Sequence, residues 1–333
     1  MPRHARLDTS GTIHHVIGRS IAEKKAFGTK KDKEDFLRRI AKHCEEMAFT
    51  IYAWAIMDTH FHILLRTGNI SLSSSMRKIL TGYAVNFNRR HRRYGHLFQN
   101  RFKSIVCEQD PYLLELTRYI HLNPLRSGVV KDMDELDIYP WTGHSVIMGA
   151  QNHSWQDRGA ILAYFGKTEG TARRSYRRFV EGGIAMGKRT DLIGGGLIRS
   201  AGGWSEVISM RRRYKPTASD ARILGSGTFV GTVLAKSDQK KGDAVRWKTI
   251  TDLSVLANII AKNEGIDISD LLSGSRKPQL VRARRLLSQI AVKMFNYTGA
   301  TVARYLGVTT SLVNRMVHQK EVTDLISYLD SSL

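Results

Sequence analysis

A chain of 333 residues, 42% of them hydrophobic and 25% charged, can bury about two cores of its own, which excludes a small disulfide- or metal-stapled scaffold and an extensively disordered chain. Lysine and arginine exceed aspartate and glutamate by 52 − 30 = 22, and so large a positive excess predicts a polyanionic partner, with nucleic acid first and an acidic membrane surface second. Cys44 and Cys107 form no close-spaced pair, so neither a disulfide framework nor a cysteine-based zinc site is expected. The N-terminus lacks an apolar signal core, and the longest strongly apolar run, Ile51 to Met57, is too short to span a bilayer. The chain is therefore expected in the cytoplasm, without a membrane partner.

Residues 12–19, rich in Ile, Val and His, suit a strand. From 32 to 48 the period changes: Phe36, Ile40, Cys44 and Met47 recur at spacings of three and four, which predicts a helix with one apolar face. Runs 49–57 and 61–66 read as strands, with Asp58-Thr59 short enough for a hairpin turn. Ser71 to Ser75 supply N-caps for a helix whose stripe is Met76, Ile79, Leu80 and Tyr83, and which ends in a basic cluster before Gly95. Residues 97–106 are strand-like, and Pro111 opens a helix over 112–122. The order βαββαβα predicts a compact α+β sheet with helices on one face. Residues 151–245, basic and then Gly-rich, read as a connector, and 246–333 as an all-helical domain behind a first domain over 1–150.

His60 and His62 flank Phe61 on a strand, and period-two geometry puts both imidazoles on one face while Phe61 and Ile63 enter the core. Two neutral imidazoles so placed can share a divalent ion, and they can equally be a structural or solvated pair. Glu115, Tyr119 and Asn123 share a helical face, with Leu113, Leu116 and Ile120 as the apolar stripe. Asn123 precedes Pro124, which disfavours helical geometry for Asn123, so the helix is expected to end there and free the carboxamide to face a metal or cap the chain. Gly182 to Gly187 imitates a phosphate-binding loop, but Arg189 stands where Ser or Thr is required and no apolar strand precedes it, so nucleotide binding is not expected.

The combination resembles a family. His60-Phe61-His62-Ile-Leu-Leu is similar to the His-hydrophobic-His signature of HUH single-strand nucleases, and Arg118-Tyr119-Ile-His-Leu-Asn-Pro to the tyrosine helix of single-tyrosine transposases. Leu97 to Ser104 and Tyr139-Pro-Trp-Thr142 resemble further segments of the REP-associated tyrosine transposases, and the likeness runs from about Gly11 to Gly149. One departure is Ser20, where members often carry Gly. The resemblance implies a ferredoxin-like HUH core in which His60, His62 and Asn123 hold Mg²⁺ or Mn²⁺ on the scissile phosphate. Tyr119 would be the nucleophile, forming a 5′-phosphotyrosine on single-stranded or hairpin DNA. One tyrosine per chain fits either a monomer or a homodimer.

Arg89, Arg90, Arg92 and Arg93, with Arg101, Lys103 and Arg126, form a basic cluster expected to follow a phosphate backbone, and Tyr94, Phe98 and Phe102 are either base-stacking or core aromatics. Near the C-terminus, Ala303, Gly307 and Val313 have helix-turn-helix spacing, which makes 310–317 a recognition helix for duplex DNA presenting Thr310, Ser311, Asn314 and Arg315. Upstream, Ser275 to Arg285, with Arg276 and Lys277, resembles the basic turn and helix entry of the replication initiator's DNA-binding domain. The expected function is a DNA transposase or strand transferase. Its rivals are a DNA-binding regulator that kept the fold and lost cleavage, and a replication-initiator or relaxase-type HUH nuclease.

Overall fold

The computed structural model describes residues 6–68, 70–187, 189, 192, 220–246, 252–295, 297–323, 325 and 328. They fall into two units, 1–238 and 239–333. The first begins with β1 (Ile13–Arg19), α1 (Lys30–Glu45), β2 (Phe49–Ile56), β3 (His60–Thr67), α2 (Leu72–Arg90), β4 (Lys103–Cys107) and α3 (Gln109–His121), the order read from the sequence. Further helices follow: α4 (Asn123–Arg126), α5 (Met133–Ile138), α6 (Gly143–Met148), α7 (Arg158–Leu162) and α8 (Glu169–Glu181), then β5 (Ile223–Leu224); α9 (Gly227–Arg246) crosses the division at 238.

The five strands are ordered β2-β3-β1-β4-β5; all neighbours are antiparallel except the short β5, which runs parallel to β4. Alternation along the strands sends Val16, Trp54, Phe61 and Ile63 to one face, where α1 and α2 cover them with Phe36, Ile40, Met76, Ile79 and Tyr83. Ile13, Ala53, Ala55, Leu64 and Ile105 go to the other face, under Leu113, Leu116 and Ile120 of α3. The fold is α+β, as expected, but its helices cover both faces of the sheet and not one. The second layer is completed by Leu136, Ile147, Ile161, Leu162, Tyr176 and Val180 of α5 to α8. Part of the segment read as a connector from 151 thus belongs to the core; its Gly-rich stretch toward Gly203 lies largely outside the described residues. The strand expected over 97–106 is confined to β4, after an irregular approach.

Polar groups bind this second layer to α3. His121 Nδ1 lies 2.5 Å from the Tyr176 hydroxyl, the hydroxyl 3.3 Å from His144 Nδ1, and His144 Nε2 2.8 Å from Asp137, which Arg177 also contacts at 2.7 Å. Burial depresses both imidazoles, His121 strongly, and pushes the Tyr176 phenol up, so the chain is neutral as far as Asp137.

The second unit contains α10 (Leu253–Asn263), α11 (Ile268–Leu272), α12 (Pro278–Lys293), α13 (Gly299–Leu306) and α14 (Thr310–His318). Their apolar faces, including Leu256, Ile260, Leu287, Ile290, Val302, Leu306 and Val313, meet in one core. Gly307 closes α13 at φ +66°, a left-handed position that favours glycine, and the Thr309 hydroxyl caps α14 through Leu312 N at 3.3 Å.

Candidate active site and nucleic-acid interface

His60 and His62 share the α3-covered face of β3, so the packing of Leu113, Leu116 and Ile120 brings Tyr119 down beside them. The His60 and His62 ring centroids are 5.2 Å apart, and the Tyr119 ring stands edge-on to His62 at 5.9 Å. The three side chains that the sequence placed about sixty residues apart are therefore one cluster. His62 is 5% exposed, whereas His60 and Tyr119 are half-buried at its rim. Burial pushes His60 down to about 4 and His62 further, with the charge of Arg19, the register partner of His60, acting in the same direction.

Asn123 stands at the end of the same helix, but its own backbone is helical. α3 closes at His121, Leu122 keeps helical dihedrals, and Pro124 sits in the first turn of α4, where its missing N–H is no loss. The carboxamide nitrogen donates to the carbonyls of Tyr119 at 2.9 Å and Ile120 at 3.2 Å, which leaves the amide oxygen as the group able to accept elsewhere. Among the described residues no three His, Cys, Asp or Glu side chains stand together as a metal cage. A divalent ion here would have two imidazole nitrogens, with the amide oxygen or a phosphate oxygen completing the set. The donors suit that role: both imidazoles are neutral, so their lone pairs are not occupied by a second proton.

One neighbour was not singled out from the sequence. His15 on β1 is fully buried, and its Nε2 lies 2.9 Å from His62 Nδ1; a His inside an apolar strand carries no signal of such a contact. Arg126, expected at a DNA backbone, holds its guanidinium 5.5 Å from the Tyr119 ring centroid and donates to the Gly183 carbonyl at 3.1 Å. Burial lowers its basicity while the tyrosine acts in the opposite sense. At the departure from the family pattern, Ser20 is buried and its hydroxyl donates to the Lys24 carbonyl.

The basic cluster divides. Arg89, Arg92, Arg101 and Lys103 are exposed, and Tyr94 is 94% exposed. Arg90 is exposed as well, but it ion-pairs with Asp32 and, at 3.2 Å, with Asp35, carboxylates that are almost completely buried. Such buried carboxylates need a cation, and Arg90 joins α2 to α1 in supplying it. Arg93 bonds Asn88 at 3.3 Å and the His96 carbonyl at 3.2 Å. Phe98 and Phe102 pack into the core, with Arg6 over the Phe102 ring at 3.7 Å. Gly182 to Gly187 follows α8 and not a strand.

In the second unit Thr310, Ser311, Asn314 and Arg315 are exposed on α14 while Val313, Met316 and Val317 face the core. Arg276 and Lys277 are exposed at the entry to α12. The loop that carries them is held by Arg284, whose guanidinium donates to the carbonyls of Leu271 at 2.7 Å, Asp270 at 2.9 Å, Ser275 at 2.5 Å and Ser273. Arg276, Arg282, Arg285 and Arg315 line a cleft of about 770 Å³ floored by Leu312 and Met316.

The first unit is thus a mixed sheet with a His-Phe-His strand facing a tyrosine helix, and a helical unit follows it in the chain. Residues 8–123 match the family described as "Transposase IS200 like". The match contains His60, His62, Tyr119 and Asn123. A solved structure described as the REP-associated tyrosine transposase bound to a REP hairpin is similar at 17% identity and a TM-score of 0.38, over 47% of this chain and 98% of that one. No curated protein matches the chain. None of the helices, among the described residues, is long and apolar enough to cross a membrane.

Proposed function

We propose that this protein is a metal-dependent DNA transposase or strand transferase that cleaves single-stranded or hairpin DNA through Tyr119. The observation that carries the reading is the edge-on placement of the Tyr119 ring 5.9 Å from His62, on the sheet face it shares with His60, inside the segment that matches the transposase family. The Tyr119 oxygen attacks phosphorus, the bond to the 3′ oxygen breaks, and the proton lost by the phenol is matched by the one that the departing 3′ oxygen acquires. The product is a 5′-phosphotyrosine and a free 3′-hydroxyl, and the same step run backwards rejoins strands. His60, His62 and the Asn123 amide oxygen would hold Mg²⁺ or Mn²⁺, which when bound withdraws charge from a non-bridging phosphate oxygen. Arg126 sets positive charge beside the tyrosine ring, where it opposes the cost of negative charge on the attacking oxygen.

The second unit supplies duplex recognition in this reading. α14 presents Thr310, Ser311, Asn314 and Arg315 to base edges, and Arg276 and Lys277 meet phosphates. Arg89, Arg92, Arg101 and Lys103 attend the single strand at the first unit. The test is cleavage of an end-labelled hairpin with and without Mn²⁺, by wild type and by His60→Ala and His62→Ala. Metal-dependent cleavage lost in both variants supports the reading; equal cleavage by wild type and variants contradicts it. Hairpin binding without cleavage at any metal concentration would instead support a DNA-binding regulator.

A further inference from the structure

The contact between His15 and His62 joins two buried imidazoles, and each has a second nitrogen whose state depends on which ring donates. If His15 Nε2 donates to His62 Nδ1, then His62, being neutral, carries its proton on Nε2 and has no lone pair to offer there. If His62 Nδ1 donates to His15 Nε2, then His62 Nε2 is bare, and the one ring proton of the neutral His15 sits on Nδ1. Because His62 Nδ1 is the nitrogen that His15 engages, Nε2 is the one left for a cation, and only the second arrangement leaves it a lone pair.

We propose that His15 is a positioning residue: it accepts the Nδ1–H of His62, fixes that tautomer and ring orientation, and so presents His62 Nε2 to a divalent cation shared with His60. The inference rests on the metal-site reading above and extends it to a residue on a different strand. The rings support it geometrically, with centroids 5.2 Å apart and planes inclined by 27°. His15 also lies 6.1 Å from the Tyr119 ring, edge-on, so the same side chain packs against the nucleophile and the ligand it orients. A partner that orients a ligating imidazole through its other nitrogen typically changes metal affinity by about 10- to 100-fold when removed.

Calorimetric titration of the full chain with Mn²⁺ reads this without any turnover. His15→Phe keeps a ring of similar size and removes the acceptor, and its Mn²⁺ affinity should fall about 10- to 100-fold. His15→Gln, whose amide oxygen can accept from His62 Nδ1, should recover most of that loss. Affinity unchanged in His15→Phe while His62→Ala loses binding would overturn the positioning role and leave the metal site standing. No Mn²⁺ binding by wild type, or undiminished binding by His62→Ala, would overturn the metal-site reading and this inference with it. Should His15→Phe fail to fold, imidazole nitrogen NMR of the wild type decides: a proton on His62 Nδ1 supports the proposal, and a proton on His62 Nε2 contradicts it.

Discussion

Tyr176→Phe tests how the second layer holds the tyrosine helix. In the proton arrangement that gives each N–H an acceptor, His121 Nδ1–H donates to the Tyr176 oxygen, the Tyr176 hydroxyl donates to His144 Nδ1, and His144 Nε2–H donates to Asp137. All three rings are fully buried, so no water replaces a missing partner. Phe preserves the ring packing against Phe165 and removes one oxygen that serves two hydrogen bonds. Each neutral bond contributes about 1 kcal/mol, and a buried donor or acceptor left without a partner costs about 1–3 kcal/mol. The variant should therefore lose about 2–4 kcal/mol, less if His121 changes tautomer. Urea unfolding followed by tryptophan fluorescence measures it, since Trp54, Trp141 and Trp155 lie in the first unit. A loss below about 0.5 kcal/mol, the scale of an ordinary surface change, would refute the network as a structural link.

Acid should unfold the first unit through His14, which sits between the hydroxyls of Thr12 and Ser104 at 2.8 Å each and which burial pushes down from 6.5 to about 4. The unfolded chain then binds the extra proton first, so stability present above pH 6.5 is lost as the pH falls toward 4, by about 3 kcal/mol from this group. The gap between urea midpoints at pH 7 and pH 4.5 should narrow in His14→Gln, with the other buried histidines keeping the rest of it, and an unchanged pH slope would contradict the assignment. Gly307→Ala should destabilise the second unit by about 1–2 kcal/mol, because φ is +66° although nothing crowds the new Cβ; thermal unfolding that shows stabilisation would mean a relaxed turn. Arg315→Ala should cost about 1–3 kcal/mol on a preferred duplex and little on scrambled DNA if the guanidinium reads a base. A uniform loss with a salt slope smaller by about one would assign it to phosphate.

The parts of this fold that the sequence discloses are those with a long period. α1, α2 and the β2–β3 hairpin show their apolar faces plainly, and alternation around Phe61 is enough to place both imidazoles on one face. The second layer was hidden because α5, α6 and α7 are five or six residues long, too short to show a helical period, even though α5 and α7 bury two residues each and α6 five. Arg90 reads as one more cation in a basic run; only the burial of Asp32 and Asp35 reveals that its charge is matched internally. His15 is illegible for the opposite reason: in an apolar strand its composition says filler, and its contact with His62 depends on strand register across β1 and β3. Tyr119 was legible as a residue type on a helical face, whereas its approach to the histidines follows from α3 lying on their side of the sheet.

The central claim, that Tyr119 attacks DNA, is tested most directly by trapping the reaction of the full chain with a labelled single strand in Mn²⁺, digesting the protein and sequencing the labelled peptide by mass spectrometry. The account predicts a nucleotide joined through a 5′ phosphate to Tyr119, and no adduct in Tyr119→Phe, which keeps the ring but not its oxygen. An adduct on any other residue, or one that persists in Tyr119→Phe, would contradict it.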